Sequence, residues 1–286
     1  MRSNDPQVVW HTSAWSFLST ARAHLEAAPL VNQLPLGSAL QALADPARFH
    51  EVLGATVHAP DGTCIGASLQ TLPWPVGLSR MPVDAARALG EAWRPRFGAL
   101  EAALGETDTV LAFGGEGTTV VEHMGLHALH AVVPLPRAEG RKRLAGVEDA
   151  DCLQQWLEAF HAEAVPDDPS PGPGAGARAA NAGRFHLWLD AEDRPVTFAA
   201  FGREVGGYVS VGPVYTPPTA RGRGFATSLV AEMSAEALAQ GRRGCTLFTD
   251  LANPISNRIY ARIGYVQIGQ ITRVALPKDS QPAGGG

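Results

Sequence analysis

The chain has 286 residues, of which 45% are hydrophobic and 18% charged, and it carries a formal net charge of −5. That length suits two domains, and the acidic balance without a basic run argues against nucleic acid as the main partner. Three widely spaced cysteines, Cys64, Cys152 and Cys245, fit neither a disulfide framework nor a zinc site, and neither a signal peptide nor a membrane-length apolar run is visible. A cytoplasmic protein is expected.

Residues 1 to about 10 show no periodic pattern. From Ser13, the spacing of Trp15, Phe17, Leu18, Ala21 and Leu25 predicts a helix that Pro29 closes, and a second helix is expected over about 37–43. His50 to His58 and Cys64 to Gln70 read as strands about a Pro60-Asp61-Gly62 turn. Val83 to Leu104 is mostly helical in pattern, with Pro95 as a break. Thr109 to Phe113 then reads as a strand, Val120 to Gly125 as a helical turn and His127 to Val133 as a strand.

The polar run Arg137 to Arg143 reads as a linker, and Leu144 to Val147 as the opening strand of a second domain. Asp149 is placed to cap a helix bearing Leu153, Trp156, Leu157 and Phe160. His161 and Glu163 at its end invite reading as a catalytic pair, but an exposed helix terminus accounts for them more simply. The stretch 165–176 is too rich in proline and glycine for a regular element; it is a mobile lid or a plain insertion. A short helix over Ala177 to Ala182 precedes two strands, Arg184 to Asp190 and Arg194 to Phe201, and a turn over Gly202 to Gly207 leads into the strand Tyr208 to Thr216.

Next comes Arg221-Gly222-Arg223-Gly224-Phe225-Ala226-Thr227, and then Leu229, Val230, Met233 and Leu238 at helical spacing, ending at Gly241. Strand, glycine loop and helix N-terminus make a phosphate-binding arrangement, because the first helical N–H groups lack partners and glycines let a ligand approach them. An ordinary loop with solvated arginines has the same spacing. A Walker loop is excluded by the missing lysine, and a dinucleotide fingerprint is only partial, since residue 227 is threonine. Cys245 to Thr249 is a strand, and Asn253 to Gly264 a helix with Asn253 as cap, Pro254 at its first position and Gly264 as its stop.

Here the chain resembles the GCN5-related N-acetyltransferase (GNAT) superfamily. Arg221, Gly224 and Ala226 match its Gln/Arg-x-x-Gly-x-Gly/Ala signature, and Asn253, Asn257, Tyr260, Gly264 and Tyr265 match its Asn-containing turn and Tyr-x-x-x-Gly-Phe/Tyr helix. The resemblance implies an α+β fold: a central, mostly antiparallel twisted sheet flanked by helices, in two GNAT-like domains in tandem. Residues 139–277 would form the acetyltransferase domain, 1–138 a degenerate GNAT-like or other α+β domain, and 278–286 a disordered tail. Glu122 to Gly125 would be a decayed copy of Ala261 to Gly264, with Glu122 or His123 near the position of the tyrosine.

It also implies acetyl transfer from acetyl-CoA to a primary amine of a small molecule or peptide N-terminus, with no metal. Val214, Tyr215 and Thr216 would contact the pantetheine arm and thioester through their backbones, and Gly212-Pro213 would supply a bulge. Arg221, Gly222, Arg223, Gly224, Phe225, Ala226 and Thr227 would cradle the pyrophosphate, with side-chain contacts from Asn253 and Asn257. Tyr260 would be the general acid. The base is less defined: Glu204 or Asp250 acting through water, although a surface turn or a structural cap explains each. The rival reading is a non-catalytic acyl-CoA-binding sensor or assembly module; a homodimer is left open, and neither nucleic acid nor membrane is expected.

Overall fold

A computed structural model describes residues 6–97 and 100–277; the tail expected at 278–286 lies outside the described residues. The described chain divides into two compact units. The first takes the described residues of Met1–Leu126 and Gly269–Gly286 with Asp250–Ala252, the second His127–Thr249 and Asn253–Ile268.

The chain runs β1 (Gln7–His11), α1 (Ala14–Glu26), α2 (Gln33–Ala44), β2 (Val52–His58), β3 (Cys64–Thr71), β4 (Val76–Leu78), α3 (Val83–Trp93), β5 (Ala102–Gly105), α4 (Thr107–Gly114) and β6 (Thr119–Leu129). It continues as β7 (Arg141–Leu144), α5 (Ala150–Ala164), α6 (Ala175–Asn181), β8 (Phe185–Leu189), β9 (Pro195–Val205), β10 (Tyr208–Tyr215), α7 (Phe225–Ala239), β11 (Gly244–Asp250), α8 (Pro254–Ile263) and β12 (Val266–Ala275). The second series repeats the first: strand, two helices, three strands, helix, strand, helix, strand.

In the first unit β1 to β4 pair in antiparallel succession, β5 joins β4 in parallel, and Thr272–Ala275 of β12 pair antiparallel with β5. In the second, β7 to β10 are antiparallel neighbours and β11 joins β10 in parallel. The mostly antiparallel, helix-flanked α+β sheet expected from the sequence is what the chain forms. Strand alternation sends Ala199 and Val211 to a core shared with Leu229, Val230 and Met233 of α7, and Phe198 and Tyr215 to a second core shared with Leu153 of α5 and Ala179 of α6. No helix of the described residues is long and apolar enough to cross a membrane.

Several local expectations are corrected. Residues 7–11 form β1, whose pairing with β2 supplies the order that the sequence pattern lacks. Helix α2 starts at Gln33, because Pro35 sits within its first turn, where a missing N–H costs nothing. Thr109–Phe113 lies within α4: Val110 and Phe113 are buried one turn apart while Leu111 is exposed, so the apolar run is one helical face. Glu122 to Gly125 falls inside β6, so it is no copy of the α8 terminus, and neither Glu122 nor His123 occupies a helical position there. The counterpart of α8 in the repeated order is α4. The second unit opens with polar Arg141–Leu144 rather than 144–147, α6 begins at Ala175, and β9 continues to Val205, leaving only Gly206 and Gly207 for the turn. The Asp149 carboxylate makes no cap; it accepts from both Arg143 guanidinium nitrogens (2.6 and 2.8 Å) and from Gly146 N–H (2.8 Å).

The 165–174 stretch is pinned by side chains. Gln154 donates to Gly172 O and accepts from Gly176 N–H, Arg178 donates to the carbonyls of Pro171 and Pro173, and His161 Nε2 lies 2.7 Å from Asp168 O. Here α6 crosses α5 so closely that a Cβ on Gly176 would fall 2.0 Å from Ala150 O and 2.5 Å from Gln154 N. Gly176→Ala is therefore expected to cost about 1–3 kcal/mol through forced displacement of packed backbone. The check is the thermal unfolding midpoint, which drops by several degrees.

Candidate functional site

The site of interest lies in the second unit, where two paired strands part. β10 and β11 pair at Tyr208↔Gly244, Val209↔Cys245 and Ser210↔Thr246, yet β10 runs on to Tyr215 and β11 to Asp250. On the other side β10 keeps its partner β9, at Val211↔Phe201, Val214↔Ala199 and Tyr215↔Phe198, through two register shifts. The second shift spans Gly212 and Pro213, where the sequence placed a bulge; proline cannot donate to a ladder, and Gly212 has φ +153°. Backbone groups on a strand point alternately to its two sides, so the run Val211 to Tyr215 turns alternate groups toward the side where its register with β11 has ended.

Beyond β10, a short turn at Pro218–Ala220 leads to Arg221, and α7 begins at Phe225. Gly222 and Gly224 have φ +77° and +79°, a region that residues with a Cβ rarely adopt. No side chain caps α7, whose first helical bond runs from Ser228 N–H to Gly224 O. The side chains of Phe225 and Thr227 turn inward, so only their backbone is on offer. A Cβ at Gly222 would meet no heavy atom within 4 Å, and one at Gly224 would meet only Ala138 Cβ, at 3.9 Å. An open, uncapped, glycine-led helix N-terminus suits a pyrophosphate, so these residues fit the phosphate end of a coenzyme A. Arg223 stands over the Phe225 ring at 4.7 Å, while Arg221 turns back. Its Nε donates to Thr216 O (2.9 Å) and its terminal nitrogen to Glu163 Oε2 (2.6 Å).

Glu163, at the end of α5, reads from the sequence as half of a pair with His161 or as an exposed helix terminus, and in the structure its partners are Arg221 and Tyr215 instead. Its other oxygen accepts from Tyr215 OH (3.1 Å), so it ties the cofactor loop to the central strand. The Arg221 guanidinium holds the Glu163 carboxyl below its usual range, and burial, followed by this carboxylate, pushes the Tyr215 phenol up. No local signal marks Glu163, because its partners stand 52 and 58 residues away. Thr197 Oγ1 donates to Tyr215 O and accepts from Thr216 Oγ1, which fixes the end of β10.

On α8, Asn253 caps the helix by accepting from Ser256 N–H, and Asn257 Oδ1 accepts from Thr249 Oγ1 (3.0 Å). Tyr260 packs edge-on to Tyr265 at 5.9 Å and joins the apolar cluster that also takes Val214. Burial alone pushes its phenol up to about 12. Glu204 is placed elsewhere. It registers with Val209, six residues along β9 from the Phe198↔Tyr215 pair and so about 20 Å away at strand rise. There it faces Arg242 at 3.3 Å and lines a separate cleft of about 540 Å³ with Lys142, His186 and Glu236. Its register thus sets it opposite the start of β10, away from the Tyr215 end. Asp250 accepts from Ala252 N–H, as a turn residue does. Among the described residues no group of His, Cys, Asp or Glu could hold a metal ion.

Among the described residues of the first unit no such opening is seen. β4 is three residues long and pairs with β5 in parallel at Val76↔Ala103 and Gly77↔Leu104, Arg80 is engaged by Glu106, and Pro82 rather than glycine precedes α3.

A mostly antiparallel sheet with a parted parallel pair, a glycine-led helix after the central strand, and this element order twice over make up a fold that the chain shares with solved GNAT structures. Residues 200–274 match the FR47-like protein family. Over 86 residues the chain is 32% identical to Acetyltransferase Atu2258 of Agrobacterium fabrum, covering 30% of this chain and 61% of that relative, so the chain spans less than two thirds of its length. Two solved structures share the fold across nearly the whole chain. The GCN5-related N-acetyltransferase from Sphaerobacter thermophilus is 17% identical with a TM-score of 0.61, covering 94% of this chain and 95% of its own. The tandem GNAT protein from the clavulanic acid biosynthesis pathway is 13% identical with a TM-score of 0.59, covering 97% and 100%.

Proposed function

We propose that the chain is an N-acetyltransferase that carries the acetyl group of acetyl-CoA to a primary amine of a small molecule or peptide N-terminus by direct attack. The observation that carries this reading is the parting of β10 from β11 beside an uncapped, glycine-led helix N-terminus. The FR47-like match over the same segment and the name of the Agrobacterium relative support it.

When bound, acetyl-CoA supplies the activated thioester. The N–H groups at the start of α7, with Arg223 beside them, hold the pyrophosphate, and Asn253 and Asn257 flank it from α8. Backbone groups of Val214, Tyr215 and Thr216 would align the pantetheine arm, and a backbone N–H at Val214 would meet the oxygen on which charge develops. Tyr260 gives its phenolic proton to the departing thiolate sulfur. With a pKa near 12 it remains protonated at neutral pH. Free thiols at Cys64, Cys152 and Cys245 suit a reducing compartment such as the cytoplasm.

A second reading, a non-catalytic acyl-CoA-binding module, is favoured by one observation: Glu204, one of the two bases expected from the sequence, is carried by register about 20 Å from the Tyr215 end of β10. Release of free coenzyme A thiol from acetyl-CoA decides between them, measured across amino acids, polyamines, aminoglycosides and peptide N-termini. Amine-dependent release that vanishes in Gly224→Asp is the expected result. Binding of acetyl-CoA with no release on any amine would favour the module instead.

A further inference from the structure

We propose that Glu163 and Arg221 form an exchange latch: Glu163 holds the Arg221 guanidinium while the phosphate cradle is empty and yields it to the pyrophosphate when coenzyme A binds. The inference rests on the cofactor reading above. Arg221 opens the glycine loop, and its charge is what a pyrophosphate would recruit, yet the guanidinium is turned away from the loop mouth onto Thr216 O and Glu163. Both partners are about half exposed, at 48% and 45%, so water and a competing anion can reach the pair. A phosphate oxygen offers Arg221 the same charge-assisted bond as the carboxylate.

The exchange has a second consequence, because Glu163 also accepts from Tyr215 OH. Once Arg221 leaves, the carboxylate stays beside the end of β10 with one partner lost. It becomes the acidic group open to a cationic amine. The amine first sheds one proton to water to become the neutral nucleophile. As its nitrogen bonds the acetyl carbon and the C–S bond breaks, its second surplus proton goes to Glu163 and the thiolate takes one from Tyr260, whose phenolate is reprotonated from water. Occupancy of the phosphate cradle thereby controls the carboxylate that meets the acceptor.

The test is a double-mutant cycle read by calorimetric titration with coenzyme A itself, which needs no acceptor and no turnover. Glu163→Gln removes the competitor, and the Kd for coenzyme A tightens about two- to fivefold, the scale of an exposed ion pair. Arg221→Ala weakens binding, and adding Glu163→Gln to it then changes nothing. Binding left unchanged or weakened by Glu163→Gln alone overturns the latch. So does a gain that persists in the Arg221→Ala background, where Glu163 would act as a bare charge. Failure of the unsubstituted chain to bind coenzyme A at all overturns the cofactor reading, a distinguishable result.

Discussion

Gly222→Asp is expected to weaken coenzyme A binding by about 100-fold while leaving the chain folded. Two effects add. A Cβ at φ +77° costs about 1–2 kcal/mol of backbone strain, which the loop relieves by leaving the conformation that presents its N–H groups. The new carboxylate also projects into space in which no heavy atom lies within 4 Å, the space assigned to the pyrophosphate, so like charges meet there. Together they approach 3 kcal/mol, or about two decades in Kd. Gly222→Ala keeps the strain and omits the charge, and its loss should stay below about tenfold. Calorimetric Kd values separate the two, and a near-unchanged thermal midpoint shows that the loop, not the core, has been altered.

Tyr260→Phe is expected to lower kcat by about 100-fold or more, the usual scale for a positioned general acid, with the Kd for coenzyme A held within about twofold. The phenol is raised to about 12 by burial alone, so the ring packs on Tyr265 as well without its hydroxyl. The sign of the pH dependence follows. A general acid acts in its protonated form, which is complete at neutral pH and lost only as pH rises toward about 12, while a free-base amine is increasingly available over the same range. The rate should rise with pH and then level, with no fall assignable to Tyr260 below about pH 10. Unchanged kcat in Tyr260→Phe would remove the tyrosine from the mechanism.

The readable parts of the chain were those set by neighbouring residues. Gly222 and Gly224 announce a loop that needs positive φ, Asn253 and Pro254 announce a helix start, and Gly264 its end; each acts within a turn of itself. The four apolar residues Val110 to Phe113 carry no decisive period, and only the sheet and α3 packed against them select a helix. β1 was hidden for a related reason, since its order comes from β2, about 45 residues on. At the site, Glu204 drew attention by standing just before the central strand, but antiparallel register carries it toward the far end of that strand. Glu163 looked like a solvated helix end because its partners come from β10 and the glycine loop, 52 and 58 residues later.

One acyl-CoA cradle per chain is expected, in the second unit, between the parted strands and the start of α7. Calorimetric titration of the chain with acetyl-CoA tests it most directly. A single equivalent should bind per chain, about 100-fold more weakly in Gly222→Asp. Two equivalents, or one that is indifferent to Gly222→Asp, would contradict it.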